Sequence, residues 1–157
     1  MGRAEDHLDI LNIVHSYSWN VDMQELESLK AVFHHDAVIN GFGHSFGRDD
    51  YCETIMLTNK GMKTVHMISN EIVDIEGLSA RCRSDILGYH SVLPEHKALS
   101  EAVFGDITEP TDSLILARYD DFLEKRDGKW KIKEKRITMV WQQQFKTLPP
   151  FPGWPRE

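Results

Sequence analysis

The hydrophobic period of this chain changes once, near Met62, and that change limits the folds open to it. Before it, apolar residues recur at helical spacing. Ile10, Ile13, Val14, Tyr17 and Val21 form one stripe, and Leu26, Leu29, Val32 and Phe33 a second. After it, apolar and polar residues alternate, as half-buried strands require. The pattern predicts an amphipathic helix over 6–20 and a second over 24–35, with His34 and His35 in its last turn. A short strand over 37–40 and a glycine-rich link through Gly41, Gly43 and Gly47 follow, then a third helix from Asp49 or Asp50. Strands are expected at about 63–75, 79–93, 113–125 and 130–142. Glu76-Gly77 turns the first into the second, and Asp127-Gly128 is a strong hairpin signal because both residues tolerate positive φ. Trp130, Ile132, Thr138 and Val140 then share one face of the last strand. Helices followed by a run of antiparallel strands make an α+β domain.

The 157 residues suffice for a single domain, and 41% hydrophobic with 27% charged residues is a globular composition. No apolar run approaches the roughly 20 residues of a membrane span, and the N-terminus carries no signal-peptide core. Mean hydropathy is −0.41 and net charge −7, so a phosphate backbone is repelled overall. The lysines 129, 131, 133 and 135 alternate along a strand and read as a solvated face, which argues against nucleic acid. Cys52 and Cys82 form neither a metal spacing nor a disulfide framework, consistent with a reduced, cytoplasmic protein. Residues 94–112 are acidic and irregular, with a helical turn expected around Ala98 to Val103. A connection of that length is often a lid or binding loop. The Pro- and aromatic-rich end, 143–157, is expected to pack over the domain.

The candidate chemistry starts at Thr64-Val65-His66-Met67-Ile68-Ser69-Asn70, which places Thr64, His66, Ile68 and Asn70 on one strand face. An imidazole facing a core needs a partner. Asp22 is the candidate, since a carboxylate holding one ring nitrogen leaves the other free as a base. Each residue also has a structural reading: His66 as a satisfied core histidine, Asp22 as the start of a capping box Asp22-Met23-Gln24-Glu25. Tyr17, five residues before Asp22, shares a site with it only if the first helix ends near Asn20. His34-His35-Asp36 and His44 do not converge as metal ligands, because contiguous residues of a helix point apart.

The order of these pieces resembles the SnoaL-like branch of the nuclear transport factor 2-like superfamily. The resemblance is carried by Tyr17 to Asp22, Leu29 to Ala37, Thr64-Val65-His66, and Tyr119-Asp120-Asp121-Phe122 leading to Asp127-Gly128-Lys129-Trp130. It spans about 6–142 and implies a cone-shaped, strongly curved sheet closed by N-terminal helices around an apolar cavity. Within that superfamily the chain looks most like scytalone dehydratase, hexachlorocyclohexane dehydrochlorinase and bile-acid dehydratase. These are cofactor-free lyases built on an Asp–His pair, matched here by Asp22 and His66. By the same resemblance His96 is the cavity histidine that helps the leaving group, and Tyr17 matches a functional tyrosine. Tyr119 stands where scytalone dehydratase has an asparagine, and Val21 and Gly41 or Phe42 where it has tyrosines.

The sequence therefore points to a lyase of the dehydratase or dehydrohalogenase type, without cofactor or metal, acting on a small cyclic or aromatic-like substrate. His66 is the base, Asp22 its partner, and Tyr17, Tyr119 or His96 donates to the departing or enolate oxygen. Polyketide cyclase or ketosteroid-isomerase-like chemistry is the enzymatic alternative. A ligand carrier, or a subunit like the small subunit of ring-hydroxylating dioxygenases, is the non-catalytic one. Self-association is expected, a trimer ahead of a dimer.

Overall fold

The computed structural model describes residues 3–96 and 103–147. Helix α1 (Arg3–Asp22) and the short α2 (Leu26–Ala31) lead into the hairpin β1 (Phe33–Gly41) and β2 (His44–Gly47). Helix α3 (Arg48–Thr58) precedes four long strands, β3 (Lys63–Glu76), β4 (Ser79–Val92), β5 (Thr111–Arg126) and β6 (Lys129–Lys146). They form one curved six-stranded sheet in the order β2-β1-β6-β5-β4-β3, antiparallel except where β1 runs parallel to β6. This is the expected α+β architecture. No described helix is long and apolar enough to cross a membrane.

Helix α1 lies on the concave face with Ile10, Val14, Tyr17 and Val21 fully turned into the core, the stripe its spacing predicts. It is fixed at both ends. At its start Asp6 accepts hydrogen bonds from Lys125 and from Trp130 Nε1, tying it to the β5–β6 hairpin. At its end Gln24 takes a positive φ of 55° and stops the helix. The Gln24 amide then donates to the carbonyl of Asn59, just before β3. Asp127 and Gly128 both adopt positive φ, as their hairpin signal requires.

Three expectations about local structure change. The second helix ends at Ala31 rather than His35, because Ile132 donates its N–H to the Val32 carbonyl and draws the next residues into the sheet. His34 and His35 therefore stand on β1, where His34 is buried and its Nε2 meets the Glu124 carbonyl. The glycine link folds as the β1–β2 hairpin, and α3 begins at Arg48 behind an N-cap at Gly47. Strand β6 runs to Lys146, so residues 143–146 belong to the sheet; 148–157 and most of the turn expected around 98–103 lie outside the described residues.

The strand faces depart from simple alternation at β-bulges. Between Phe122 and Leu123 the β5–β6 register slips by one residue, which sets Lys135 directly opposite Asp121. Lys135 is thus not on a solvated face: both side chains are fully buried, and Nζ lies 3.0 and 3.1 Å from the two carboxylate oxygens. Burial pushes the lysine down and the aspartic acid up, and each charge opposes the other's shift. The same slip turns Thr138 off the buried face of Trp130 and Ile132, and Val140 falls at a second slip between Leu116 and Ala117; both are exposed. Lys135→Met alone, which strands a buried carboxylate, is expected to cost about 3–5 kcal/mol in urea unfolding, whereas Asp121→Leu with Lys135→Met is expected to be close to neutral.

Candidate active site

The C-terminal turn of α1 and the first half of β3 meet at Asp22. Its Oδ1 accepts hydrogen bonds from Thr64 Oγ1 at 2.8 Å and from His66 Nδ1 at 2.7 Å, and its Oδ2 accepts from the His66 backbone N–H at 2.8 Å. Three donors from one strand satisfy one carboxylate. Burial works against the charge of Asp22, but the His66 ring, the His66 N–H and the Thr64 hydroxyl together outweigh it and hold the carboxyl below its usual range. The ionised carboxylate can only accept, so the proton of the ring lies on Nδ1 and Nε2 is the free base. The side chains of His66 and Asp22 are 12% and 10% exposed, so the pair sits at the edge of the core rather than in bulk water.

This arrangement excludes the capping role for Asp22. Helix α2 has Glu25 at its N-cap with no side-chain capping bond. Thr64, His66 and Ile68 share the inner face of β3 as expected, but Asn70 does not. It falls in a bulge with φ 57°, is exposed, and donates to Asp85.

His66 lines an apolar cavity between the concave sheet and the helices, walled by Val21, Ile55, Ile86, Ile115 and Ile137. The polar groups reaching this cavity are few: His66, His90, Tyr17, Tyr51, Tyr119, and Thr58 with Asn59. Phe42, Val103 and Met139 line both the cavity and a surface groove, marking its mouth.

Tyr17 and Tyr119 both reach the cavity, and their rings meet edge-on with centroids 5.7 Å apart. Helix α1 continues unbroken through Asp22, so Tyr17 faces away from the carboxylate, and its hydroxyl meets that of Tyr51 at 2.5 Å. Burial above all pushes the phenols of Tyr17, Tyr51 and Tyr119 upward, which keeps all three protonated. His96 closes the 3₁₀ turn Pro94–His96, and its side chain lies outside what the structure describes.

Two residues of the site escape a sequence reading. Tyr51 comes from the short α3 and is only 1% exposed. His90 stands on the inner face of β4 beside His66, ring centroids 5.0 Å apart and nearly perpendicular. It is 6% exposed, packs against Phe104, and its Nδ1 has no hydrogen-bond partner among the described residues. Gly88, opposite His66 in the register, makes room for both rings. A Cβ there would stand 3.1 Å from His66 Cδ2 and 3.1 Å from His90 Cε1. The unbroken alternation of β4 through Ala80, Cys82 and Ile86 is the signal that could have placed His90 on the inner face.

The SnoaL-like domain family matches residues 2–136, and the chain belongs to that family. Among solved structures it is similar to a candidate scytalone dehydratase from Novosphingobium aromaticivorans, at 23% identity over 98% of this chain and 97% of that one, TM-score 0.73. It is similar also to the type 2 hexachlorocyclohexane dehydrochlorinase LinA, at 18% identity over 97% of each chain, TM-score 0.76. A protein of unknown function with a cystatin-like fold from Nostoc punctiforme matches at 18% identity over 87% of this chain and 92% of that one, TM-score 0.66. At such identities the likeness is one of fold. No curated protein matches the chain.

Burial first, and the adjacent His66 ring second, push His90 down to about 3 from its ordinary 6.5, against the pull of Asp22. Between those two values the unfolded chain binds the proton and the folded protein does not, so stability falls as pH drops through that window and is unaffected above it. His90→Phe is expected to flatten the loss, removing a slope of up to about 1.4 kcal/mol per pH unit. Urea unfolding of both proteins across this range measures the difference.

Proposed function

We propose that the protein is a cofactor-independent lyase of the dehydratase or dehydrohalogenase type, acting on a small, uncharged cyclic substrate. The single observation that carries this reading is the Asp22–His66 pair, whose ring proton is held by the carboxylate while the ring lines an apolar cavity. His66 Nε2 takes a proton from carbon, and the C–H electron pair becomes the new double bond, through an enolate where a carbonyl is adjacent. The leaving group departs with its bonding pair, as chloride or, with a proton supplied, as water. Asp22 stabilises the imidazolium that forms, and the apolar surroundings strengthen that attraction.

Tyr17, Tyr119 and His90 are the groups placed to donate to an oxygen of the substrate. His90 takes, in this reading, the role that the sequence assigns to His96, because it is seen beside the base. A general base contributes about 10²–10⁴ in rate, so orientation and oxyanion stabilisation supply the remainder. The tyrosine pair Tyr17–Tyr51 favours a second reading, an isomerase or cyclase that forms the same enolate and keeps the mass of its substrate. On the outer face, Val65, Met67, Ile72, Val140 and Trp141 are exposed, and self-association as a trimer would cover such a surface.

Cyclic β-hydroxy ketones and chlorinated cyclohexanes are the substrates to offer. Mass spectrometry is expected to show loss of water or hydrogen chloride, and His66→Ala and Asp22→Asn to lower kcat/KM by about 10²–10⁴. Products of unchanged mass would move the assignment to isomerase or cyclase. Turnover unaffected by either substitution would remove the dyad from the mechanism.

A further inference from the structure

The floor of the cavity carries an ion pair that the proposed proton transfer does not use. Asp121 and Lys135 are cross-strand neighbours on β5 and β6, both without solvent exposure. Above them, Lys135 Nζ lies 3.7 Å from the ring centroid of Tyr119 and 4.1 Å from that of Tyr17. One buried cation thus underlies two of the three phenols that face the cavity. Stability does not call for this pair, because packed apolar side chains of similar volume commonly serve as well or better in such a place.

The hydroxyl inventory is equally specific. Tyr17, Tyr51 and Tyr119 bring three O–H protons, and the Tyr17–Tyr51 bond consumes one of them. Tyr119 also hydrogen-bonds Tyr17, which takes a second, so one proton remains for an acceptor that enters the cavity. A positive charge against the ring face favours negative charge developing at the phenol end and strengthens the donors toward an anionic oxygen, against the Asp121 carboxylate, which pushes both phenols upward.

We propose that the Asp121–Lys135 pair is a positioning unit that orients and polarises Tyr17 and Tyr119, and that the floor so formed is a site for a substrate oxygen that becomes anionic during reaction. Lys135 touches no substrate in this arrangement and acts through the two tyrosines. Resting on the reading of the cavity as a substrate site, the inference narrows the substrate to an enolisable ketone, whose oxygen takes up the electron pair released at carbon when His66 removes the proton. A chlorinated hydrocarbon has no oxygen to place there.

The test uses para-nitrophenol, whose ionised form is coloured and whose binding needs no turnover. The intact wild-type protein is expected to prefer the phenolate, so that the bound probe is ionised at a pH where the free probe is mostly neutral. Asp121→Leu with Lys135→Met, checked for folding by thermal unfolding, is expected to bind phenolate at least about 10-fold more weakly and to lose the preference. Tyr119→Phe leaves the ion pair in place and is expected to weaken the preference in the same direction.

Wild-type protein that binds only the neutral phenol, or does not bind the probe, overturns the proposal whether or not the double variant folds. A folded double variant that keeps the wild-type preference overturns it as well. Loss of elimination activity in His66→Ala with phenolate preference intact tests the dyad alone, so failure of the lyase reading and failure of the floor are told apart.

Discussion

The structure turns on one carboxylate. Asp22 sits where α1 ends and receives three hydrogen bonds from Thr64 and His66 of β3. Those bonds fix the position of the helix end against the edge strand of the sheet, and they fix the ring of His66 in one orientation. A carboxylate this far out of water is costly unless its acceptor sites are filled. Filling them from a single strand makes the folding contact and the chemical contact the same interaction. The opposite end of α1 is held by Asp6 against Lys125 and Trp130, so the helix that closes the cone cannot shift without breaking a part-buried polar contact.

The bulges do the rest. The slip between Ser69 and Ile72 brings Gly88 opposite His66, where a hairpin register counted from the turn would put Tyr89. Without that slip, Thr64, His66 and Ile68 would point outward, because the extra residue lies in β3 while β4 keeps one alternation from Ala80 to Val92. The slip between Phe122 and Leu123 similarly carries Lys135 inward to Asp121, beneath Tyr17 and Tyr119. Curvature of the sheet and composition of the cavity therefore share a cause, since each bulge both bends a strand and exchanges its faces.

This explains which parts of the molecule were legible in the sequence. The period change at Met62, the stripe on α1 and the Asp127-Gly128 turn are local signals, and the elements they predict are present. The Asp22–His66 pair was legible because a lone histidine on a strand face needs a partner, and a carboxylate at a helix end is well placed to supply one. Lys135, Asn70, Thr138 and Val140 were misread because one inserted residue inverts every later face, and no local pattern marks the insertion. His90 lies on the unbroken β4, where alternation sets its face, but only the β3–β4 register shows that it stands beside His66. His34 and His35 continued a helical stripe in sequence, but the Val32 carbonyl is claimed by Ile132 and the chain enters the sheet early. Tyr51 lies on a short helix whose apolar pattern is weak, so its contact with Tyr17 is visible only in three dimensions.

Family and fold set the outline of the protein, and the inward polar residues carry the proposed chemistry. Besides Thr58 and Asn59, the polar residues described at the cavity form two groups: two histidines on adjacent strands, and three tyrosines, two of them resting on a compensated cation. The first group suits removal of a proton from carbon, the second suits an oxygen that gains charge as a result.

The central claim is the protonation of one ring. Long-range ¹H–¹⁵N NMR of the His66 imidazole at alkaline pH reports which nitrogen carries the proton. The account predicts a protonated Nδ1, exchange-protected and lost in Asp22→Asn, with Nε2 unprotonated toward the cavity. A ring protonated at Nε2, or one whose signals do not respond to Asp22→Asn, would contradict it.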